Sequence, residues 1–383
     1  MDGLTTMIAN PSADVYGSDL QMLESVSALV EAGSRVVVVL PADGPLVEQI
    51  RQRGGEVEFV TFPVLQRANQ SAVAFIRMAG AAAAAVWRLA RYLRRTRPAV
   101  LYVNTVTLPW WLLAARLTAT PVVCHVHEAE TADSRLVRSA LVLPLRLADA
   151  LLVISRAALA ATVDAVPALE RRAHLVFNGV PQPPTDPVPA ARRDPLRLVV
   201  VGRLSPRKAP HLALEAAGRL RASGHAVEIE LAGTAFAGYE WYVAELEERS
   251  AQEDLAGAVT FSGYQRPIWS TLEAADMVLA PSLREPFGNA VVEAQYSLRP
   301  VVATAALGHL ETIEDGRTGL LVPSGDVDAM VAAVERLIDD PALAQRLAED
   351  ARASALQRFS LERYRREVVA VVAGVMRPRR TRP

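Results

Sequence analysis

The sequence predicts two α/β domains of similar size, each a doubly wound parallel sheet with crossover helices. Three observations carry this. Short apolar runs rich in β-branched residues alternate with amphipathic segments along the whole 383-residue chain. The runs are continuously apolar, as strands covered on both faces are. Between the halves, residues 181–195 hold six of the 25 prolines and few helix-forming apolar repeats, the mark of a linker.

Taken in order, the first half offers strands at 4–9, 34–41, 57–62, 99–104, 121–127, 150–155 and 173–178. The second half offers 196–202, 227–233, 259–263, 277–282, 300–304 and 319–323. Amphipathic helices are expected at 19–32, 209–223, 326–339 and 341–357, and a last helix at 361–376. The expected organisation is a first domain over 1–180, a linker over 181–195, and a second domain over 196–357. The last helix and a basic tail then occupy 358–383. Two such domains create a cleft, and ligands bind doubly wound sheets beyond the carboxyl ends of the strands.

Composition excludes several classes. Hydrophobic residues make up 51% and charged residues 22%, enough to bury a large core, and a net charge of −1 gives no pull toward nucleic acid. The basic "RPRRTRP" at 377–383 reads as a frayed end. A single cysteine, Cys124, excludes an intrachain disulfide and fits a reducing cytoplasm. The start "MDGLTTMIAN" has no basic stretch followed by a long apolar run, so no secretory signal is expected. The uncharged run 98–115 is interrupted by Asn104, Thr105, Thr107 and Pro109, so it reads as a strand and a helix start, not as a membrane span.

In the second domain, "VVVGRLSPRKAP" places Gly202 and Arg203 after a strand and Lys208 at the start of the next helix. Lys208 is the only lysine; the other 40 basic residues are arginine. A strand-to-helix loop is a ready anion site, and a diphosphate can use both an arginine fork and a compact ammonium. The competing reading is a pair of solvated loop charges. "REPFGNAVVEAQ" then sets Phe287, Gly288 and Asn289 at a helix start, with Glu285 before it and Glu293 two turns in. Carboxylates are good acceptors for sugar hydroxyls; a capping Glu and a solvated Glu are the plain alternative.

Together "GRLSPRKAP", "EPFGNAVVEAQ" and "PVVATAALGHLETIEDGRTGLLVP" resemble the C-terminal domain of the family 4 retaining glycosyltransferases of GT-B fold. The likeness covers most of 196–325, in order. It implies two Rossmann-like domains facing across a cleft, the first on the acceptor side and the second binding a nucleotide-sugar. It further implies that Arg203 and Lys208 hold the donor diphosphate, Glu293 the ribose and Glu285 the donor sugar. The backbone at Phe287, Gly288 and Asn289 would close over sugar and phosphate, with Gly263 and Tyr264 near the base. Three usual glycines are replaced, by Ala209, Leu298 and Leu307, which puts the identity of the sugar in doubt.

In the first domain, Gly17 of "NPSADVYGSDLQ" resembles the family's glycine-rich loop, and an ordinary turn glycine is the alternative. "PVVCHVHEAE" places His125 and His127 on one strand face. The family shows His-Asp or His-Glu here, which favours His127 with Glu128 as a site residue and leaves His125 in the core. A metal set is not supported by two histidines and one glutamate. Cys124 reads as packing, and Ser155 and Asn178 as structural or hinge residues.

The implied chemistry is metal-independent transfer, with Arg203 and Lys208 offsetting the leaving diphosphate's charge, Glu285 and His127 at the sugar, and anomeric configuration retained. No cofactor is expected beyond a UDP- or GDP-sugar. The acceptor is a glycan, a lipid-linked sugar or a small molecule. The chain is expected in the cytoplasm. The arginine-rich stretch 77–98 leaves open a peripheral contact with the inner membrane face or a core helix with a solvated last turn. A sugar-nucleotide 2-epimerase on the same architecture, or a catalytically degenerate nucleotide-sugar-binding protein, are the alternative functions.

Overall fold

The computed structural model describes residues 1, 3–15, 17–65, 72–129 and 135–376, with backbone only at 72–81 and 135–137. The basic tail at 377–383 and Tyr16 of the early loop lie outside the described residues. The chain forms two compact units. One holds the residues up to Gly179 and those from Leu361 on; the other is Val180–Ser360.

The first unit is a seven-stranded parallel sheet. Its strands are β1 (Thr5–Ala9), β2 (Arg35–Leu40), β3 (Glu56–Phe59), β4 (Val100–Val103), β5 (Val122–Val126), β6 (Ala150–Val153) and β7 (Ala173–Leu175). They lie in the order β3-β2-β1-β4-β5-β6-β7. The second unit has β8 (Leu196–Val201), β9 (Val227–Ala232), β10 (Val259–Phe261), β11 (Met277–Ala280), β12 (Val301–Thr304) and β13 (Leu320–Val322). Their order is β10-β9-β8-β11-β12-β13. Each expected strand is present, trimmed mainly at its carboxyl end. Asn104, His127, Ser155 and Gly202 have left the ladder and edge the sheets where ligands bind such folds.

The apolar runs are continuous because both faces of each sheet are covered. In the second unit Leu198 and Val200 join one buried cluster with Leu214 and Val334, while Val199 joins another with Val278 and Val291. In the first, Ile8, Val38, Tyr102 and Leu152 form a core that takes in Tyr364, Val368 and Val372 of the helix Leu361–Val375. Tyr364 Oη lies 2.6 Å from Ser25 Oγ of the helix Gly17–Glu31. Side chains with transfer free energies of about 1.5–3 kcal/mol each hold that helix in place.

Each sheet reverses its strand order once, between β1 and β4 and between β8 and β11. Loops leaving neighbouring strands in opposite directions open a crevice at such a point. Among the described residues no helix is long and apolar enough to cross a membrane.

Candidate functional site

An ion pair spans the crevice of the second unit. Lys208, on the loop after β8, donates to Glu285 Oε2 on the loop after β11. Both are largely buried, and Ser282 Oγ lies 3.4 Å from the same carboxylate oxygen. Burial alone would raise the Glu285 pKa, but the Lys208 ammonium, with His309 and Arg207 behind it, outweighs that and brings it to about 2. Gly202, Arg203, Lys208, Glu285, Gly288 and His309 line one small pocket here. The Arg203 guanidinium carbon stands 3.5 Å over the centre of the Phe236 ring, a cation–π contact.

Backbone geometry shapes the floor of this pocket. Gly288, at φ +104°, caps the helix Asn289–Tyr296, and a Cβ there would sit 3.0 Å from the His309 ring. At Gly308 a Cβ would fall 2.4 Å from Phe287 Cα, and the Gly308 N–H donates to the Glu285 carbonyl at 2.8 Å. The segment carrying Glu285 therefore rests directly on Gly308. Phe287 itself is core: it is buried and packs edge-on against Phe359 at 5.4 Å. Asn289 opens the helix, and Glu293 lies one turn in, not the two expected, because the helix begins only at Asn289. Burial raises the Glu293 carboxyl to about 7 against the pull of Arg266 and Lys208. Gly263 and Tyr264 precede Arg266 on the loop after β10, with Tyr264 exposed.

In the first unit the crevice is bridged by amides. Asn10, after β1, and Asn104, after β4, are joined at 2.7 Å, and Asn104 Oδ1 lies 3.1 Å from His127 Nε2. Burial lowers the His127 imidazole to about 3, so it is neutral. Glu128 turns inward, accepting from the Thr105 hydroxyl at 2.6 Å and from the His127 N–H at 3.0 Å. His125 is fully buried, with Nδ1 at 2.6 Å from Tyr102 Oη and its ring 3.9 Å from that of His127. Cys124 is buried, its thiol pushed up by burial. Ser155 caps the helix Arg156–Ala165 by accepting from the Ala158 N–H. Gly17 opens its helix in the same unit, with open space where a Cβ would stand.

Thus Gly202, Arg203, Lys208, Glu285 and Gly288 meet at one pocket, with Asn289 and Glu293 on the helix it caps. His127 and Gly17 belong to the other unit. Sequence reasoning missed Ser282, His309 and Arg207 around Glu285, and Asn10 and Asn104 beneath His127. Asn10 and Asn104 each stand just past a strand end, a signal that was legible. Ala209, Leu298 and Leu307 all adopt left-handed backbone, at φ +51°, +55° and +45°. The three positions where glycine was expected keep the conformation that glycine favours. Among the described residues no three His, Cys, Asp or Glu side chains gather as a metal site would require.

A family model described as Glycosyl transferases group 1 matches residues 183–354, and one described as Glycosyltransferase Family 4 matches residues 17–182. Alpha-D-kanosaminyltransferase of Streptomyces kanamyceticus is 33% identical over 166 residues, 43% of this chain and 42% of that protein. The lipopolysaccharide core biosynthesis glycosyltransferase LpsE of Rhizobium meliloti is 32% identical over 168 residues, 42% of this chain and 45% of that protein. The chain thus spans less than half the length of these curated relatives. The structure of Anabaena Alr3699/HepE in complex with UDP and glucose superposes with a TM-score of 0.81 at 24% identity, covering 97% of this chain and 99% of that one. A glycosyltransferase from Rickettsia africae gives 0.77 at 15% identity, over 97% and 98%. At such identities the two structures speak to the fold.

Proposed function

The chain belongs to the group 1, family 4 glycosyltransferases and has the GT-B fold, and from that premise we propose that it transfers a hexose-type sugar from a nucleotide-diphosphate sugar to an acceptor hydroxyl. The observation that carries this is the placement of the chain's only lysine. Lys208 reaches the crevice between β8 and β11 and is held there by Glu285, beside Arg203 and the N-terminus of the helix Asn289–Tyr296. A departing diphosphate needs fixed positive groups or a metal. Lys208, Arg203 and that helix end supply the former, and transfer is metal-independent.

In this reading the diphosphate takes Lys208 and Arg203, the ribose hydroxyls donate to Glu293, and Glu285 meets the sugar. The Phe287–Asn289 backbone and Gly17 approach the phosphates, Gly263 and Tyr264 the base, and His127 a sugar hydroxyl. The bond from C1 to the diphosphate oxygen breaks and the acceptor oxygen bonds C1 on the same face. The acceptor's proton passes to the departing phosphate, so configuration is retained without a carboxylate nucleophile. UDP is the favoured carrier, because Anabaena Alr3699/HepE was solved with UDP and with UDP-glucose. A cytoplasmic location is part of this reading, supported by the single cysteine of the chain, Cys124, which suits a reducing compartment. A peripheral membrane contact is supported by the helix Ala72–Thr96, where exposed Trp87 stands beside Arg91, with Arg88, Arg94 and Arg95 also outward.

Calorimetric titration with UDP and with GDP, in EDTA, tests the donor site on the wild type and on Lys208→Ala. Micromolar binding of one nucleotide that survives EDTA and collapses in the variant is expected. Neither nucleotide binding would sink the UDP/GDP reading. Consumption of the sugar nucleotide with no acceptor present would favour an epimerase, and binding without turnover a degenerate binding protein.

A further inference from the structure

The polar chain beneath His127 determines where that imidazole carries its proton. Asn10 Nδ2 donates to the Ser12 carbonyl at 2.9 Å and to Asp19 Oδ1 at 2.8 Å. A carbonyl only accepts, so this end of the Asn10 amide is its NH2 end. Asn10 Oδ1 therefore faces Asn104, whose Nδ2 donates to it at 2.7 Å and also points to the Ser18 carbonyl at 3.4 Å. The remaining polar atom of Asn104 is Oδ1, 3.1 Å from His127 Nε2. An amide oxygen has no proton to give, so His127 Nε2 must carry one.

The neutral ring then has a lone pair at Nδ1, which meets no hydrogen-bond partner among the described residues. Asn10 and Asn104 are both essentially fully buried, so neither amide can turn over without leaving buried donors and acceptors unsatisfied. We propose that Asn10 and Asn104 are positioning residues that lock His127 as its Nε2–H tautomer, so that Nδ1 accepts a hydrogen bond from one hydroxyl of the transferred sugar. The sugar part rests on the reading of His127 given under Proposed function; the tautomer part stands on the amide geometry alone. The consequence is selectivity for a proton-bearing substituent. A hydroxyl satisfies Nδ1, whereas fluorine or an ether oxygen at the same carbon cannot.

The test is a long-range 1H–15N correlation on full-length protein labelled at its six histidines, with His127 assigned by its loss in His127→Gln. The wild type should show the Nε2–H tautomer alone. Asn104→Leu should admit a population with Nε2 unprotonated, and Asn104→Asp, whose carboxylate still accepts from Nε2–H, should keep Nε2 protonated. A wild-type Nδ1–H tautomer overturns the lock and needs no variant to fold. An unchanged spectrum in Asn104→Leu overturns the role of Asn104. In turnover with UDP-glucose, Asn104→Leu should raise the donor KM about tenfold, the loss of one well-placed hydrogen bond. An unchanged KM overturns the sugar contact. A locked tautomer with no turnover of any UDP- or GDP-sugar supports the lock and overturns the transferase reading.

Discussion

Removing the Lys208 ammonium should cost more than removing both partners of its ion pair. Glu285 is 7% exposed, and its carboxyl stands at about 2 against an ordinary 4.5. At 1.36 kcal/mol per tenfold, that difference is roughly 3 kcal/mol of stability at neutral pH. The carboxyl is depressed in the folded chain, so this stability is fully present above pH 4.5 and is lost as pH falls toward 2. Lys208→Met leaves a buried carboxylate whose burial then goes uncompensated, a situation that costs about 3–5 kcal/mol. Lys208→Met with Glu285→Gln removes the charge as well as the partner and should recover most of that loss. Urea unfolding of the wild type, both single variants and the double variant at pH 7 gives the coupling energy directly. About 3 kcal/mol is expected, shrinking between pH 4.5 and pH 2. A coupling below about 0.5 kcal/mol at pH 7 would refute the argument, since the pair would then behave like an exposed salt bridge.

Four further outcomes are expected. Glu293 is about half protonated near pH 7, so a nucleotide whose ribose donates to its carboxylate should release up to about half a proton there. Titration in buffers of different ionisation heat reads this, and binding should weaken as pH drops from 8 to 6. Because the folded pKa of Glu293 is raised, Glu293→Gln should stabilise the free protein at pH 8 and leave it unchanged at pH 4. Gly17→Ala meets open space on a helix and should hold or raise stability by up to about 1 kcal/mol; if a diphosphate passes close to Gly17, donor KM rises at least tenfold all the same. Gly308→Ala pushes a methyl into the Phe287 backbone and should cost about 2 kcal/mol or more in a thermal melt, with weaker UDP binding.

The strands were legible because each sheet buries both faces: Leu198, Val199 and Val200 are all inside, so the run is unbroken. The Lys208 and Glu285 motifs were legible because each lies on a loop between a strand and a helix. Their meeting was not, since 77 residues separate them and only the β8–β11 adjacency brings them together. The same holds for Asn10 and Asn104, 94 residues apart across the β1–β4 crevice. His309 escaped notice because its role is set by contact with Gly288 and by the carbonyl of Thr304 that its Nδ1–H meets at 3.0 Å. Leu307 and Ala209 looked like departures from a glycine pattern, yet their backbone kept the glycine conformation; the dihedral is a property of the loop more than of the residue in it.

The helix Leu361–Val375 gives synthesis an inverted order. The ribosome releases the first unit's sheet early, but Tyr364, Val368 and Val372 belong to its core and emerge only after the whole second unit. The second unit is one unbroken stretch, Val180–Ser360, and has all its residues before that helix exists. At 5–20 residues per second, an interval of about ten seconds or more separates Gly179 from Leu361. During it the nascent first unit carries an apolar groove where Tyr364 will sit. A chain cut at Ser360 would keep the groove for good and should be a far better chaperone substrate than the intact chain.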